Sequence, residues 1–170
     1  KKIFNGTVLN ESNYEQDDFF KDLGAKEIDS LDVNSYEGAN IEIDLNENLK
    51  KDSPLLESYD LIYDGGTLEH IFNISSALFN IVKLLKTNGV ILHCNPCNGF
   101  IDHGYFQISP NLFYDFYYIN SFEIIGCLIG DKIIGYKTFK VQKDLYRLVD
   151  HNFSIKNANK AEIIFAAKKS

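Results

Sequence analysis

The chain has 170 residues, of which 45% are hydrophobic and 24% charged, and carries a net charge of −7. This is the composition of a single globular domain, 1–170, long enough to bury a sizeable core. The acidic balance and the lone arginine, Arg147, argue against a nucleic-acid backbone as partner, since that binding relies on clustered Lys and Arg.

No apolar run approaches the ~20 residues of a membrane helix. The Lys-Lys start has no signal-peptide core behind it, and three cysteines are too few for a disulfide framework. A cytoplasmic protein without a membrane partner is expected.

Residues 2–9, KIFNGTVL, read as a first strand broken at Asn5-Gly6. The acidic run Glu15–Asp18 opens a short helix through Phe19, Phe20 and Leu23, with its charges well placed in the first turn and Gly24 as C-cap. Residues 27–33, EIDSLDV, form a second strand ending at Asp32. After the turn Tyr36-Glu37-Gly38, residues 39–45, ANIEIDL, form a third that carries Asp44.

Residues 59–63 form a fourth strand, which stops at Asp64-Gly65-Gly66. Ile74, Ala77, Leu78, Ile81, Val82, Leu84 and Leu85 then recur at the helical period, and Thr87-Asn88-Gly89 is the expected stop. Residues 90–94 are a short apolar run suited to a strand buried on both faces. Ser109-Pro110 is an N-cap followed by proline at the first helical position, opening an aromatic helix. Residues 122–129 and 161–167 supply the last two strands, with a less legible excursion over 130–158 between them.

Strand, crossover helix, strand implies parallel neighbours, and ligands in such sheets bind beyond the carboxyl ends of the strands. Those ends are DGGTLEH and NPCNGFIDHG. The expected architecture is α/β: a Rossmann-like, seven-stranded, mostly parallel sheet with an antiparallel C-terminal hairpin in a three-layer αβα arrangement.

Taken together, SLDVN, IEIDLN, YDLIYDGGTLEHI and LLKTNGVILH, in this order, resemble the class I S-adenosylmethionine-dependent methyltransferases over nearly the whole chain. HGYFQISPNLFYDFY is similar to a bacterial subgroup of methyltransferase-like proteins. The resemblance implies S-adenosylmethionine as cofactor, with Asp32 and Val33 at the ribose and Asp44 and Leu45 at the adenine. It also places Asn5, Gly6, Asp64, Gly65 and Gly66 along the cofactor cleft. The chain departs from the family after the first strand, where Thr7 to Ser12 stand and no G-x-G-x-G is present.

Carboxylates at strand ends can accept the paired hydrogen bonds of a nucleoside, although Asp is also an ordinary turn residue. His70 and His103 are the candidate catalytic residues, because imidazole titrates near the working range of a general base. The alternative for His70 is packing or capping, with Glu69 stabilising the helix N-terminus. His103, Tyr105 and Gln107 would face a small-molecule acceptor such as a sugar or metabolite, or simply pack within their loop.

Cys94-x-x-Cys97 has a metal-ligand spacing. No second pair completes it, and on a strand Cys94 points away from His93 and Asn95. No metal is therefore expected, and Cys94 reads as a small buried hydrophobe. An exposed remainder of the aromatic helix would favour a homodimer. Two functions follow: a small-molecule methyltransferase, or a non-catalytic methyltransferase-like binding or assembly domain with a degenerate cofactor site. A nucleotide-binding α/β enzyme of another kind, using Asp32 on ribose, is the third.

Overall fold

The computed structural model describes residues 2–6, 16–131, 135–138 and 160–170. Thr7–Ser12, Glu15 and most of 130–158 lie outside the described residues.

Among the described residues eight strands form one sheet, ordered β3-β2-β1-β4-β5-β8-β6-β7. They are β1 (Lys2–Gly6), β2 (Glu27–Asp32), β3 (Ile41–Glu42), β4 (Tyr59–Asp64), β5 (Leu85–Asn98), β6 (Phe122–Asp131), β7 (Gly135–Thr138) and β8 (Ala161–Lys169). The first five run parallel. β8 is antiparallel to both of its neighbours, β5 and β6. The expected seven strands thus become eight, because Gly135–Thr138 pairs on the outer edge of β6. The expected hairpin of the last two strands is likewise corrected. β6 and β8 are antiparallel neighbours, but β7 intervenes between them in the chain.

Among the described residues three α-helices flank the sheet: α1 (Gln16–Asp22), α2 (Ile74–Leu84) and α3 (Pro110–Ile119). The apolar stripe of α2 enters the main core, where Ala77, Leu78 and Ile81 join Ile62 and Ile91 of the strands. Phe79 of α2 meets Phe116 of α3 edge-on at 5.2 Å, so these helices share a face. Phe20 of α1 instead packs on Tyr63, 5.6 Å between ring centroids. Successive strand residues point to opposite faces, so with Ile62 in the main core, α1 covers the other side. Among the described residues no helix is long and apolar enough to cross a membrane.

Several boundaries differ from expectation for local reasons. β3 is confined to Ile41–Glu42 rather than 39–45, since the Asp44 carboxylate takes the Asn46 backbone and side-chain N–H groups and turns the chain. α2 ends at Leu84, and Leu85 is already extended. Asn88 does adopt the left-handed conformation, φ 65°, but within β5 rather than as a helix cap. Cys94 is half-buried rather than buried, and its neighbours His93 and Asn95 face the core.

Asn80, fully buried on α2, fastens the segment after β3. Its Nδ2 donates to the Glu47 carbonyl at 2.8 Å and its Oδ1 accepts from the Leu49 amide at 2.9 Å. Asn80→Ala orphans both groups and should destabilise the fold by ~1–3 kcal/mol, read by denaturant titration. An unchanged midpoint would show that the clamp contributes nothing.

Candidate functional site

Gly6, Asp32, Asp64 and the NPCN segment end four neighbouring parallel strands on one edge of the sheet, with Gly6 paired to Asp64 and Asp32 to Glu42. Two groups of polar side chains lie beyond or just beneath this edge.

The first is buried. His93 projects from β5 into the core, where Ile91 precedes it on the same face. Its Nδ1 lies 2.6 Å from Asp64 Oδ2 and its Nε2 lies 2.7 Å from the Tyr117 hydroxyl. Burial and the nearby Asp64 raise the Tyr117 phenol well above its ordinary value. Tyr117 therefore donates to Nε2, which leaves Nδ1–H to donate to Asp64. The imidazole stacks on Phe113 at 4.1 Å. Asp64 Oδ1 accepts the Thr67 amide at 2.9 Å, and Oδ2 also accepts Asn95 Nδ2 at 3.0 Å. Burial alone would raise this carboxyl, but the His93 contact and the amide donors hold it below the usual range. The Asp64 carboxylate is thus consumed inside the protein, and what Asp64 offers a cleft is backbone.

The second group opens to solvent. Leu68–His70 is a single 3-10 turn after Gly65-Gly66, not the first turn of α2, whose N-cap is Asn73. Glu69 is buried at 1% exposure, and burial raises its carboxyl above the ordinary value. Its Oε2 accepts Asn95 Nδ2 at 3.1 Å, so one amide spans two buried carboxylates. Its carbonyl accepts the Tyr105 and Phe106 amides at 2.7 and 3.2 Å. That fastens the loop after β5 onto the 3-10 turn. A Cβ on Gly104 would stand 2.8 Å from the same carbonyl, so the approach requires glycine at this position.

This seating brings His103 beside His70, 5.0 Å between ring centroids. The two histidines expected to be catalytic, far apart in sequence, line one pocket of about 570 Å³ with Ile101, Asp102, Gly104 and Tyr105. Tyr105 is exposed and meets Phe72 edge-on at 5.8 Å. Gln107 turns back to accept the Phe100 amide, so it braces the loop.

The residues expected at the cofactor are more dispersed. Asp32 is half-exposed, with Oδ1 accepting the Asn34 amide, and Val33 is exposed. Asp44 is exposed, and its bonds from Asn46 lower its carboxyl. Leu45 is buried in the core. Gly65 accommodates the Tyr63 ring, and Gly66 has φ +102°. Asn5 and Gly6 end β1 beside β4. Asp32, which ends β2, and Asp44, two residues beyond β3, each engage Oδ1 in a local hydrogen bond, and a carboxylate has further acceptor capacity that is compatible with the hydroxyl and amino hydrogens of an S-adenosyl ligand. The segment that follows Gly6 lies outside the described residues.

Sequence reasoning missed the role of Glu69 and the His93–Asp64–Tyr117 chain. One signal was available: His93 and Asn95 alternate with Ile91 on the core-facing side of an otherwise apolar strand, where a polar residue needs a partner.

No protein-family model matches the sequence, and no curated protein matches it. Solved structures do share the fold. A SAM-dependent methyltransferase from Archaeoglobus fulgidus superimposes with TM-score 0.60 at 16% identity, covering 99% of this chain and 86% of that one. The Burkholderia thailandensis 1,6-didemethyltoxoflavin-N1-methyltransferase, crystallised with 1,6-didemethyltoxoflavin and S-adenosylhomocysteine, gives 0.55 at 10% identity, covering 99% and 71%. The cyclase SpnF gives 0.57 at 11% identity, covering 99% and 74%. The fold is that of class I S-adenosylmethionine-dependent methyltransferases.

Proposed function

We propose that this chain, having the fold of class I methyltransferases, binds S-adenosylmethionine and catalyses methyl transfer to a small-molecule acceptor. The observation that carries the reading is the shared edge: the carboxylates of Asp32 at the end of β2 and Asp44 in the turn after β3 at one part, and a histidine-lined pocket beyond β4 and β5 at the other. When bound, the cofactor supplies an electrophilic methyl group.

Asp32 accepts from the ribose hydroxyls and Asp44 from the adenine amino group, while Gly65 and Gly66 let backbone approach the ligand. His70 and His103 bind the acceptor's hydroxyl or amine in the pocket and receive its proton, and Tyr105 and Phe72 offer an apolar wall. Holding two reactants in fixed geometry can supply much of the rate by itself. The neighbour crystallised with a small-molecule substrate supports an acceptor of that size, and a sugar or metabolite fits the pocket. A bacterial, cytoplasmic setting belongs to the same proposal, as does a homodimer formed through Tyr118 and Ile119, both exposed on α3.

Calorimetry with S-adenosylmethionine and S-adenosylhomocysteine tests the proposal. Asp32→Ala should weaken binding ~10–100-fold, because losing hydrogen bonds to a charged group costs ~1.5–3 kcal/mol. Binding by the variant equal to that of the parent would remove Asp32 from the site. No binding of either ligand by the folded parent would sink the enzyme reading. The absence of G-x-G-x-G after β1 favours a second reading, a binding or assembly domain of the same fold. A fold does not fix a reaction, and the cyclase among the neighbours illustrates that.

A further inference from the structure

Glu69 carries an unexplained atom. Its Oε1 is buried and accepts no hydrogen bond, a condition that costs ~1–3 kcal/mol and more for a charged group. Oε1 faces two imidazole nitrogens, His103 Nε2 at 3.4 Å and His70 Nε2 at 3.9 Å. Neither contact has hydrogen-bond geometry, yet the three residues each offer a ligand atom within 4.8 Å of the other two. Ligands bonded at ~2.0–2.1 Å to a tetrahedral ion stand about 3.3 Å apart. The first spacing matches that figure, and the second exceeds it by about 0.6 Å, which a small rotation of His70, 47% exposed, can close. One imidazolium would satisfy only one of the two contacts; a single ion satisfies all three groups.

We propose that Glu69, His70 and His103 bind a divalent transition-metal ion, with its remaining coordination positions open to the pocket. Two imidazoles and one carboxylate suit zinc, cobalt or iron rather than magnesium or calcium, which prefer all-oxygen sites. The surroundings are built for it. Asn95 fixes Oε2 and so aims Oε1 outward, as outer-shell partners of metal ligands do. A Cβ on Gly66 would stand 3.1 Å from Oε1, so glycine keeps the space open. Backbone bonds to the Glu69 carbonyl hold the His103 loop in place.

Two neutral imidazoles and one carboxylate leave the centre with a single positive charge, which attracts an oxygen anion into the pocket. In the ion-bound state the histidines are ligands, and the ion holds the acceptor's oxygen; in the ion-free state they act as bases. The site does not depend on the methyltransferase reading, and its test needs neither cofactor nor acceptor.

The test is titration of the tag-free, full-length chain, freed of metal by chelator, with cobalt(II) and then with zinc(II) as competitor. Visible ligand-field bands and calorimetry are the readouts. The expected result is one equivalent bound, with zinc displacing cobalt. His103→Ala, a change on an exposed loop, should weaken affinity by at least the ~10–100-fold typical of losing even an outer-shell partner. His70→Ala should do the same, and Glu69→Gln serves as a third probe once circular dichroism shows it folded.

Three results overturn the proposal. They are no cobalt binding by the folded parent, undiminished binding by both histidine variants, and a thiolate charge-transfer band lost in Cys97→Ser. The last would assign the ion to the cysteines. Calorimetry with S-adenosylmethionine on the same samples fails or succeeds separately, so the two readings are distinguishable.

Discussion

His93→Ala should lower folding stability by ~3–5 kcal/mol at neutral pH, the cost of leaving a buried carboxylate without the partner that compensates it. The substitution leaves the Asp64 carboxylate buried without its principal counterpart and the Tyr117 hydroxyl without an acceptor. It also removes a ring from the Phe113 stack. A domain of this size has ~5–15 kcal/mol in total, so the variant should be marginal at physiological temperature.

The pH dependence follows from Asp64. A carboxyl whose folded value is depressed contributes stability that is fully present above its unfolded value, ~3.9 for Asp. That contribution is lost as pH falls through the folded value. Asp64 is depressed in spite of its burial because His93, Thr67 and Asn95 bear on it. The gap between parent and variant should therefore be widest near neutrality and narrow in acid. Urea denaturation across that range measures it, and a gap independent of pH would show that the pair carries no charge-dependent stability.

Phe165→Ala should cost a comparable ~3–5 kcal/mol, as for large aromatic side chains truncated in a core. Phe165 is fully buried on β8. Its ring lies 5.2 Å from Phe113, 5.2 Å from Tyr114 and 5.6 Å from Tyr117, and the last pair is stacked. It supports the rings around His93, so the cavity would open beneath the buried polar chain. Thermal unfolding reads the loss. Phe165→Leu, which retains most of the volume, should recover a large part of it; failure to do so would mean that volume is not what Phe165 contributes.

The legible parts of the sequence were those governed by one period or one local motif. α2 announced itself through an apolar stripe that meets one core, and α3 through Ser109-Pro110, whose cap is present. The parallel run of the first five strands was legible, with the strand–helix–strand unit over residues 59–94 giving the β4–β5 pairing, whereas the order of the strands in the sheet was not. β3 was overread because alternation alone does not reveal that Asp44 captures Asn46 and ends the strand. Asn88-Gly89 was read as a helix stop because left-handed residues punctuate helices and irregular strands alike.

His70 and His103 were singled out, and the fold brings them to one pocket. Glu69 was not legible as more than a helix-end charge. Its burial depends on Asn95 from β5 and on amides of the 99–108 loop, partners that no local pattern links to a Leu-Glu-His turn.

The placement of β8 bears on how the chain reaches its native state. β8 follows every other described element in sequence, yet it lies in the interior of the sheet, with Ile91 opposite Ala167 on one side and Phe122 opposite Lys169 on the other. The parallel pairings of β1 to β5 can therefore form before β8 is made, while β6 and β7, antiparallel to each other, have no sheet to join. Long-range strand pairing of this kind is slow, because loop-closure entropy precedes its reward. The β6–β7 hairpin and the open edge of β5 are then exposed together until residues 161–169 arrive to join them. That interval is when a chaperone, or a second unfinished copy, would meet an unpaired strand edge.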